Sequence, residues 1–207
     1  VQMVTSSTSP EGPDCRPSWI HDDGIDPSLF HDDDGKKYML LNRGARIFQL
    51  SSDCSEKIGE ASLLWLGVCR KNPEGPRVMK KDGYYYLFLA EGGTGMGHRV
   101  TVARSKTLYG PYEPCPHNPI VRQNDESQLL QCCGHGMVVD TPEGDWYIAY
   151  LTLRRSKDGY GFTGRETCID PLVWDKDGWP LVNGGKGPGV FSRIPKKTKS
   201  TKEYPDA

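Results

Sequence analysis

The chain has 207 residues, and its 26 basic and 27 acidic side chains leave a formal net charge of −1. This balance supplies no electrostatic attraction for nucleic acid or for an anionic membrane surface. No apolar run approaches the ~20 residues that a membrane-spanning helix needs, and the first six residues lack the charged and apolar regions of a signal peptide. We therefore expect a folded domain with no nucleic-acid partner and no membrane partner.

Glycine and proline are abundant, with 24 and 16 copies, and they are spread between apolar runs instead of being massed in one tract. Aromatic residues make up 10% of the chain. This composition is typical of many short strands joined by turns. We expect residues 1–190 to form the domain and residues 191–207, which are rich in Lys, Thr and Pro, to form a flexible tail.

The seven cysteines are odd in number and contain no C-x-x-C pair, which argues against a zinc ribbon. Cys132 and Cys133 are adjacent, an awkward start for a disulfide framework. We interpret the cysteines as free and mostly buried thiols. Free thiols favour a reducing compartment, so a cytoplasmic location is slightly favoured over secretion.

In chain order, a strand candidate at residues 1–5 and a loop at residues 6–17 precede a repeated unit. The unit consists of a polar residue, a short strand, a turn with glycine and an aromatic strand. It opens at Asp26, Glu74, His135 and Asp170, with turn glycines at 35, 83, 144 and 178. Its clearest copy has the hairpin signal Asp82-Gly83 followed by the aromatic run 84–89. Residues 55–66 fit either a strand or a short helical turn.

A loose repeat with about four short strands per unit, and no long amphipathic helix between units, predicts an all-β fold of the β-propeller type. A β-sandwich is the alternative, because it also has turn signals every 8–12 residues. The innermost strands of a propeller run in the same direction, so their first residues meet at one mouth. We therefore expect Asp26, Glu74 and His135 to share a pocket.

Two carboxylates in one pocket are what glycoside hydrolysis requires: a protonated acid for the leaving oxygen, and a second group that activates water or attacks the sugar. Glu74, beside apolar strands and near an anionic Asp26, is the candidate acid because both effects raise a carboxyl pKa. Alternatively, Asp26 serves turn chemistry in its Asp-Pro pair, and Glu74 is a surface acid in a turn.

Other side chains allow two interpretations. Glu91 is either a second acid or a source of structural hydrogen bonds. His98 is either part of the pocket or, preferably, an exposed loop histidine. Glu166 is expected to pair with its neighbour Arg165. For four tryptophans, core packing is preferred over stacking on sugars: Trp65, Trp146, Trp174 and Trp179.

Five local strings occur in order: Asp-Pro-Ser-Leu-Phe from 26, Glu-Gly-Pro from 74, Ala-Glu-Gly-Gly-Thr from 90, Gly-His-Gly from 134 and Gly-Arg-Glu-Thr from 164. Together they resemble glycoside hydrolase family 43, the β-xylosidases and α-L-arabinofuranosidases on a five-bladed propeller. The resemblance covers about residues 1–190. It implies inversion, with Glu74 as general acid and Asp26 as the carboxylate that tunes its pKa. Arg165 would bind sugar hydroxyls, and His135 would be the channel histidine beside one calcium ion or a water.

The resemblance also implies a general base, an Asp in an Asp-Pro motif on the first blade, and no such motif precedes Asp26. The chain thus resembles an N-terminally truncated member with three to four of five blades, whose open edges favour self-association. The function expected is hydrolysis of xylose- or arabinose-containing hemicellulose oligosaccharides. The alternative is a truncated, inactive propeller that binds sugars or a protein partner.

Overall fold

The computed structural model describes residues 1–12, 15–159 and 161–192. The predicted tail beyond residue 192 lies outside these residues. In the described part of the chain, fourteen strands and one 3-10 turn at Asn183–Gly185 make up the regular structure. No helix among the described residues is long and apolar enough to cross a membrane. The prediction of an all-β fold is confirmed.

The strands form one two-stranded sheet and three four-stranded sheets, all antiparallel. The small sheet pairs β1 (Gln2–Val4) with β2 (Ser18–Ile20). Blade 1 contains, in order, β3 (Ser28–His31), β4 (Lys37–Leu41), β5 (Ala45–Leu50) and β6 (Lys57–Trp65). Blade 2 contains β7 (Glu74–Lys81), β8 (Tyr84–Glu91), β9 (Arg99–Ser105) and β10 (Glu113–Pro114). Blade 3 contains β11 (Leu130–Asp140), β12 (Trp146–Arg154), β13 (Arg165–Trp174) and β14 (Pro180–Val182).

Successive blades pack face to face, and β8 shows why the sequence folds this way. Its side chains alternate: Leu87 and Leu89 join a buried cluster with Phe30 of blade 1, whereas Tyr86 and Phe88 join a cluster with blade 3. A strand buried on both faces has a nearly continuous apolar sequence instead of an alternating one. This double burial accounts for the aromatic run of residues 84–89.

The tryptophans pack as predicted. The rings of Trp146 and Trp174 lie 5.4 Å apart, and Trp174 lies 5.0 Å from the ring of Tyr86. Trp179 is 3% exposed, and Trp65 packs against the cluster between blades 1 and 2. These rings therefore stabilise the contacts between blades.

Two predicted strand starts are wrong. Asp170 does not open a further blade: it is buried within β13, the third strand of blade 3, where it accepts a hydrogen bond from the Tyr150 hydroxyl at 2.7 Å. An acid, a strand and a glycine turn also describe an outer hairpin, so the pattern does not identify inner strands alone. The inner strand β11 begins at Leu130, five residues before His135, because Leu130 and Gln131 already pair with Arg154 and Leu153 of β12.

Glu91, at the end of β8, is completely buried and holds the connection between blades 1 and 2. One carboxylate oxygen accepts bonds from the backbone N–H groups of Cys69 and Arg70, both at 2.9 Å. The other accepts bonds from the N–H of Val68 at 2.9 Å and from the Thr101 hydroxyl. Of the two interpretations of Glu91, the structural one is therefore confirmed.

Replacing Glu91 by Gln is expected to lower the free energy of unfolding by about 2–4 kcal/mol. The amide turns one acceptor into a donor that faces N–H groups, and it removes the charge that strengthens the remaining bonds. Urea unfolding midpoints measure the change. The matched control is Glu60→Gln at a fully exposed side chain, which should stay within about 0.5 kcal/mol of the parent. Equal midpoints for the two variants would contradict this role.

Candidate active site

Asp26 and Glu74 meet where blades 1 and 2 adjoin. Asp26 lies two residues before β3, and Glu74 is the first residue of β7. Asp26 Oδ2 accepts a hydrogen bond from the backbone N–H of Gly75 at 3.1 Å. A second bond between the inner strands, from the buried Ser28 hydroxyl to the Pro76 carbonyl, lies beside it. The carboxylate of Asp26 is thus fixed next to the residue that follows Glu74.

His135 reaches the same place from blade 3. It lies in a bulge of β11 and has a φ of +50°. Its ring packs on Gly75, where an added Cβ atom would come within 2.7 Å of the imidazole Nε2. Gly75 itself has a φ of +56°, a conformation that side chains other than glycine rarely adopt. Asp26, Glu74 and His135 therefore converge on one glycine, each from a different blade.

The electrostatics at Glu74 suit a proton donor. The carboxyl of Glu74 is half-buried, and this burial raises its pKa. The negative charge of Asp26 raises the pKa further. Positive charge on His135 and Arg165 acts in the opposite direction. Within the described residues, no hydrogen-bond donor or cation is paired with the Glu74 carboxyl. Its acidic proton is therefore available to a ligand.

Arg165 is the exposed first residue of β13, opposite Leu153 of β12. The expected pair with Glu166 is wrong. Neighbouring residues on a strand point to opposite faces, and Glu166 instead binds Arg154 at 2.8 Å. No acceptor among the described residues binds the Arg165 guanidinium. The N–H donors of this group are therefore available to a ligand.

The sequence predicts an exposed loop position for His98, but the residue is 2% exposed. Its Nδ1 lies 2.9 Å from the carbonyl oxygen of Cys132 in β11. Burial lowers the pKa of His98, and nearby His135 and Arg165 lower it further, against the raising effect of the bond to Cys132. The glycine-rich sequence before His98 suggested an exposed loop. No local pattern indicated that another blade would cover it.

One further acid, Asp22, is not free for catalysis. Asp22 is only 7% exposed and binds Lys57 at 2.7 Å and Arg46 at 3.3 Å. Burial opposes the ionisation of Asp22, but these cations lower its pKa overall. Asp22 is therefore not available to act as a further catalytic carboxylate. Asp14 lies outside the described residues.

A cation site around His135 is not built from protein ligands. No group of three His, Cys, Asp or Glu side chains that could hold a metal ion occurs in the described part of the chain. Calcium takes six to eight oxygen ligands, whereas His135 offers one nitrogen. These residues do not fit a calcium ion held by the protein itself.

Two carboxylates, an imidazole and a guanidinium at the mouth of propeller blades form the kind of site that a glycosidase uses. The sequence model described as Glycosyl hydrolases family 43 matches residues 2–180. The chain therefore belongs to this family, as the sequence motifs predict. The three four-stranded sheets of the chain and its two-stranded sheet are part of a β-propeller.

Similar proteins agree with this membership. The chain is 39% identical to a xylan 1,3-β-xylosidase of a Vibrio species, with 93% of this chain and 40% of the relative covered. It is 39% identical to a xylosidase/arabinosidase of Butyrivibrio fibrisolvens, with 89% and 39% covered. A crystal structure of a GH43 protein from Bacillus licheniformis is 46% identical and superposes with a TM-score of 0.91 over 97% of this chain and 40% of that chain. The chain thus spans about two fifths of the length of these relatives.

Substituting Ala at Gly75 is expected to destabilise the fold by about 2–4 kcal/mol and to displace the His135 ring. The variant adds backbone strain and a contact with the imidazole. Gly83→Ala is the matched control, because Gly83 has a φ of +74° with no atom within 4 Å of an added Cβ. The difference between their urea midpoints isolates the contact. A histidine NMR signal that moves equally in both variants would contradict the packing of His135 on Gly75.

Proposed function

We propose that this chain supplies the general acid of an inverting glycosidase that acts on xylose- or arabinose-containing hemicellulose oligosaccharides. The observation that carries the proposal is Glu74: its carboxyl is half-buried, unpaired among the described residues and raised in pKa, with Asp26 held on the next backbone N–H. The names of the relatives, xylosidase and arabinosidase, support the substrate class.

In the proposed reaction Glu74 holds a proton and donates it to the leaving oxygen as the glycosidic bond breaks. The Asp26 charge keeps that proton in place until transfer. A guanidinium suits vicinal hydroxyl groups, so Arg165 binds and orients the sugar, and its positive charge stabilises Glu74 once it is ionised. The His135 ring shapes the pocket above Gly75.

Inversion also needs a base that activates water from the opposite side of the sugar, with the two carboxyl groups about 6.5–9.5 Å apart. The family resemblance assigns this base to a blade that is not among these 207 residues. Assays should therefore use the longest natural polypeptide that contains this chain. The described residues offer no cluster of side chains that could hold calcium, so the proposed reaction uses protein groups alone. Self-association through open blade edges stays a prediction.

The alternative, a binding propeller without turnover, is separated from the glycosidase by Glu74 itself. Glu74→Gln should lower kcat/KM for natural oligosaccharides by roughly 10²–10⁴-fold, because the leaving oxygen loses its proton donor. The loss should be much smaller for a dinitrophenyl xyloside, whose leaving group departs without protonation. Glu60→Gln serves as the control, and rates on nitrophenyl β-xyloside and α-arabinofuranoside define the preferred sugar. Equal rates for the parent and Glu74→Gln would remove Glu74 from the mechanism.

The proposed role of Asp26 predicts a pH effect with a defined sign. Activity requires protonated Glu74, so it falls as pH rises through the Glu74 pKa. Asp26→Asn removes a negative charge that raises this pKa, and the alkaline limb of the kcat/KM profile should move to lower pH. Arg165→Gln removes a positive charge that lowers the pKa and should move the limb to higher pH. Asp33→Asn, at an exposed turn, is the control; limbs that move together would contradict the assignment.

A further inference from the structure

His98 is the buried histidine that links blade 2 to blade 3. It directly precedes β9, and its backbone N–H donates to the Gly95 carbonyl at 2.9 Å. Its side chain crosses to β11, where Nδ1 lies 2.9 Å from the Cys132 carbonyl oxygen. A carbonyl only accepts, so Nδ1 carries the proton of the neutral imidazole. Its Nε2 is buried and has no protein partner in the described part of the chain.

The bulge in β11 begins at the carbonyl that His98 binds. Gln131 pairs with Leu153 and Gly134 pairs with Leu151, and the register shifts between these two pairs. Cys132 lies in the interval and has a φ of +55°. A second shift, between Gly134 and Met137, contains His135. The bond from His98 thus anchors the strand at the start of the irregular segment that carries His135.

The ring of His98 also packs directly under this segment. A Cβ atom added to Gly134 would come within 2.4 Å of His98 Cδ2, so the ring lies against the backbone of the residue before His135. His98 therefore constrains the bulge in two ways, through a hydrogen bond at Cys132 and through ring contact at Gly134. Bulges often re-aim a side chain beside an active site.

We propose that His98 is a positioning residue, whose Nδ1–H bond to the Cys132 carbonyl holds the β11 bulge and so directs the His135 ring onto Gly75 beside Glu74. The contacts form a continuous path from His98 through Cys132, Gly134 and His135 to Gly75. The effect on turnover rests on the proposed function. The effect on the position of His135 does not.

Three substitutions separate the hydrogen bond from the ring. His98→Phe keeps a ring on Gly134 and removes the donor. In His98→Asn the side-chain amide can occupy the place of Nδ1 and donate to Cys132, whereas in His98→Gln it lies nearer the place of Nε2. Circular dichroism and urea midpoints establish that each variant folds. If His98→Phe does not fold, the Asn and Gln pair still makes the comparison.

The first readout is the chemical shift of the His135 imidazole in a ¹⁵N-labelled full chain, recorded at one fixed pH. We expect this chemical shift to change in the Phe and Gln variants and to stay near the parent value in the Asn variant. The second readout is kcat/KM in the natural polypeptide, with a loss of roughly 10–100-fold for Phe and Gln and a partial recovery for Asn. The parent and Glu74→Gln are assayed alongside.

The outcomes are distinguishable. A His135 signal that is unchanged in all variants, or is changed equally by Asn and Gln, overturns the role of His98. Undiminished turnover in Glu74→Gln overturns the proposed function and leaves the NMR result to decide on His98. A shifted His135 signal in the Phe and Gln variants with recovery in Asn supports the positioning role.

Discussion

The candidate site depends on the burial of one charged group, the Glu91 carboxylate. A carboxylate without water costs several kcal/mol unless hydrogen-bond donors replace the solvent. Here three backbone N–H groups and one hydroxyl do so, and the backbone donors all come from residues 68–70. This segment leads from blade 1 into β7, so Glu91 anchors the chain four residues before Glu74. The residue opposite Glu74 in the sheet is Ala90, the neighbour of Glu91.

The mouth of the propeller is built from backbone that departs from regular strand geometry. Asp26, Gly75, Cys132 and His135 all have positive φ, and each lies just before or within an inner strand. Such conformations cost free energy and persist where surrounding contacts compensate. The compensating contacts here are polar and join neighbouring blades: Asp26 accepts a hydrogen bond from the Gly75 N–H, and His98 lies close to the Cys132 carbonyl. Irregular backbone thus allows three side chains from different blades to approach one point.

Much of the architecture is predictable because it follows from local chemistry. Asp82 and Gly83 both adopt positive φ, as the tight hairpin turn requires, and the aromatic run after them is the doubly buried β8. The meeting of Asp26 and Glu74 follows from where their strands begin. The burial of His98, the partner of Glu166 and the position of Asp170 depend on contacts across 12 to 34 residues of sequence or between blades. No pattern within a single unit encodes those contacts.

The hydrogen bond between Asp26 and Gly75 joins two blades and also bears on the acidity of Glu74. The inner strands β3 and β7 belong to separate sheets, and they are joined near the mouth by two side-chain-to-backbone bonds. One of these bonds also sets how closely the Asp26 charge approaches Glu74. If Asp26 moved away from Gly75, the pKa of Glu74 would fall, because the negative charge of Asp26 raises it. The acidity of Glu74 thus depends on the contact between two blades as well as on the strand that carries it.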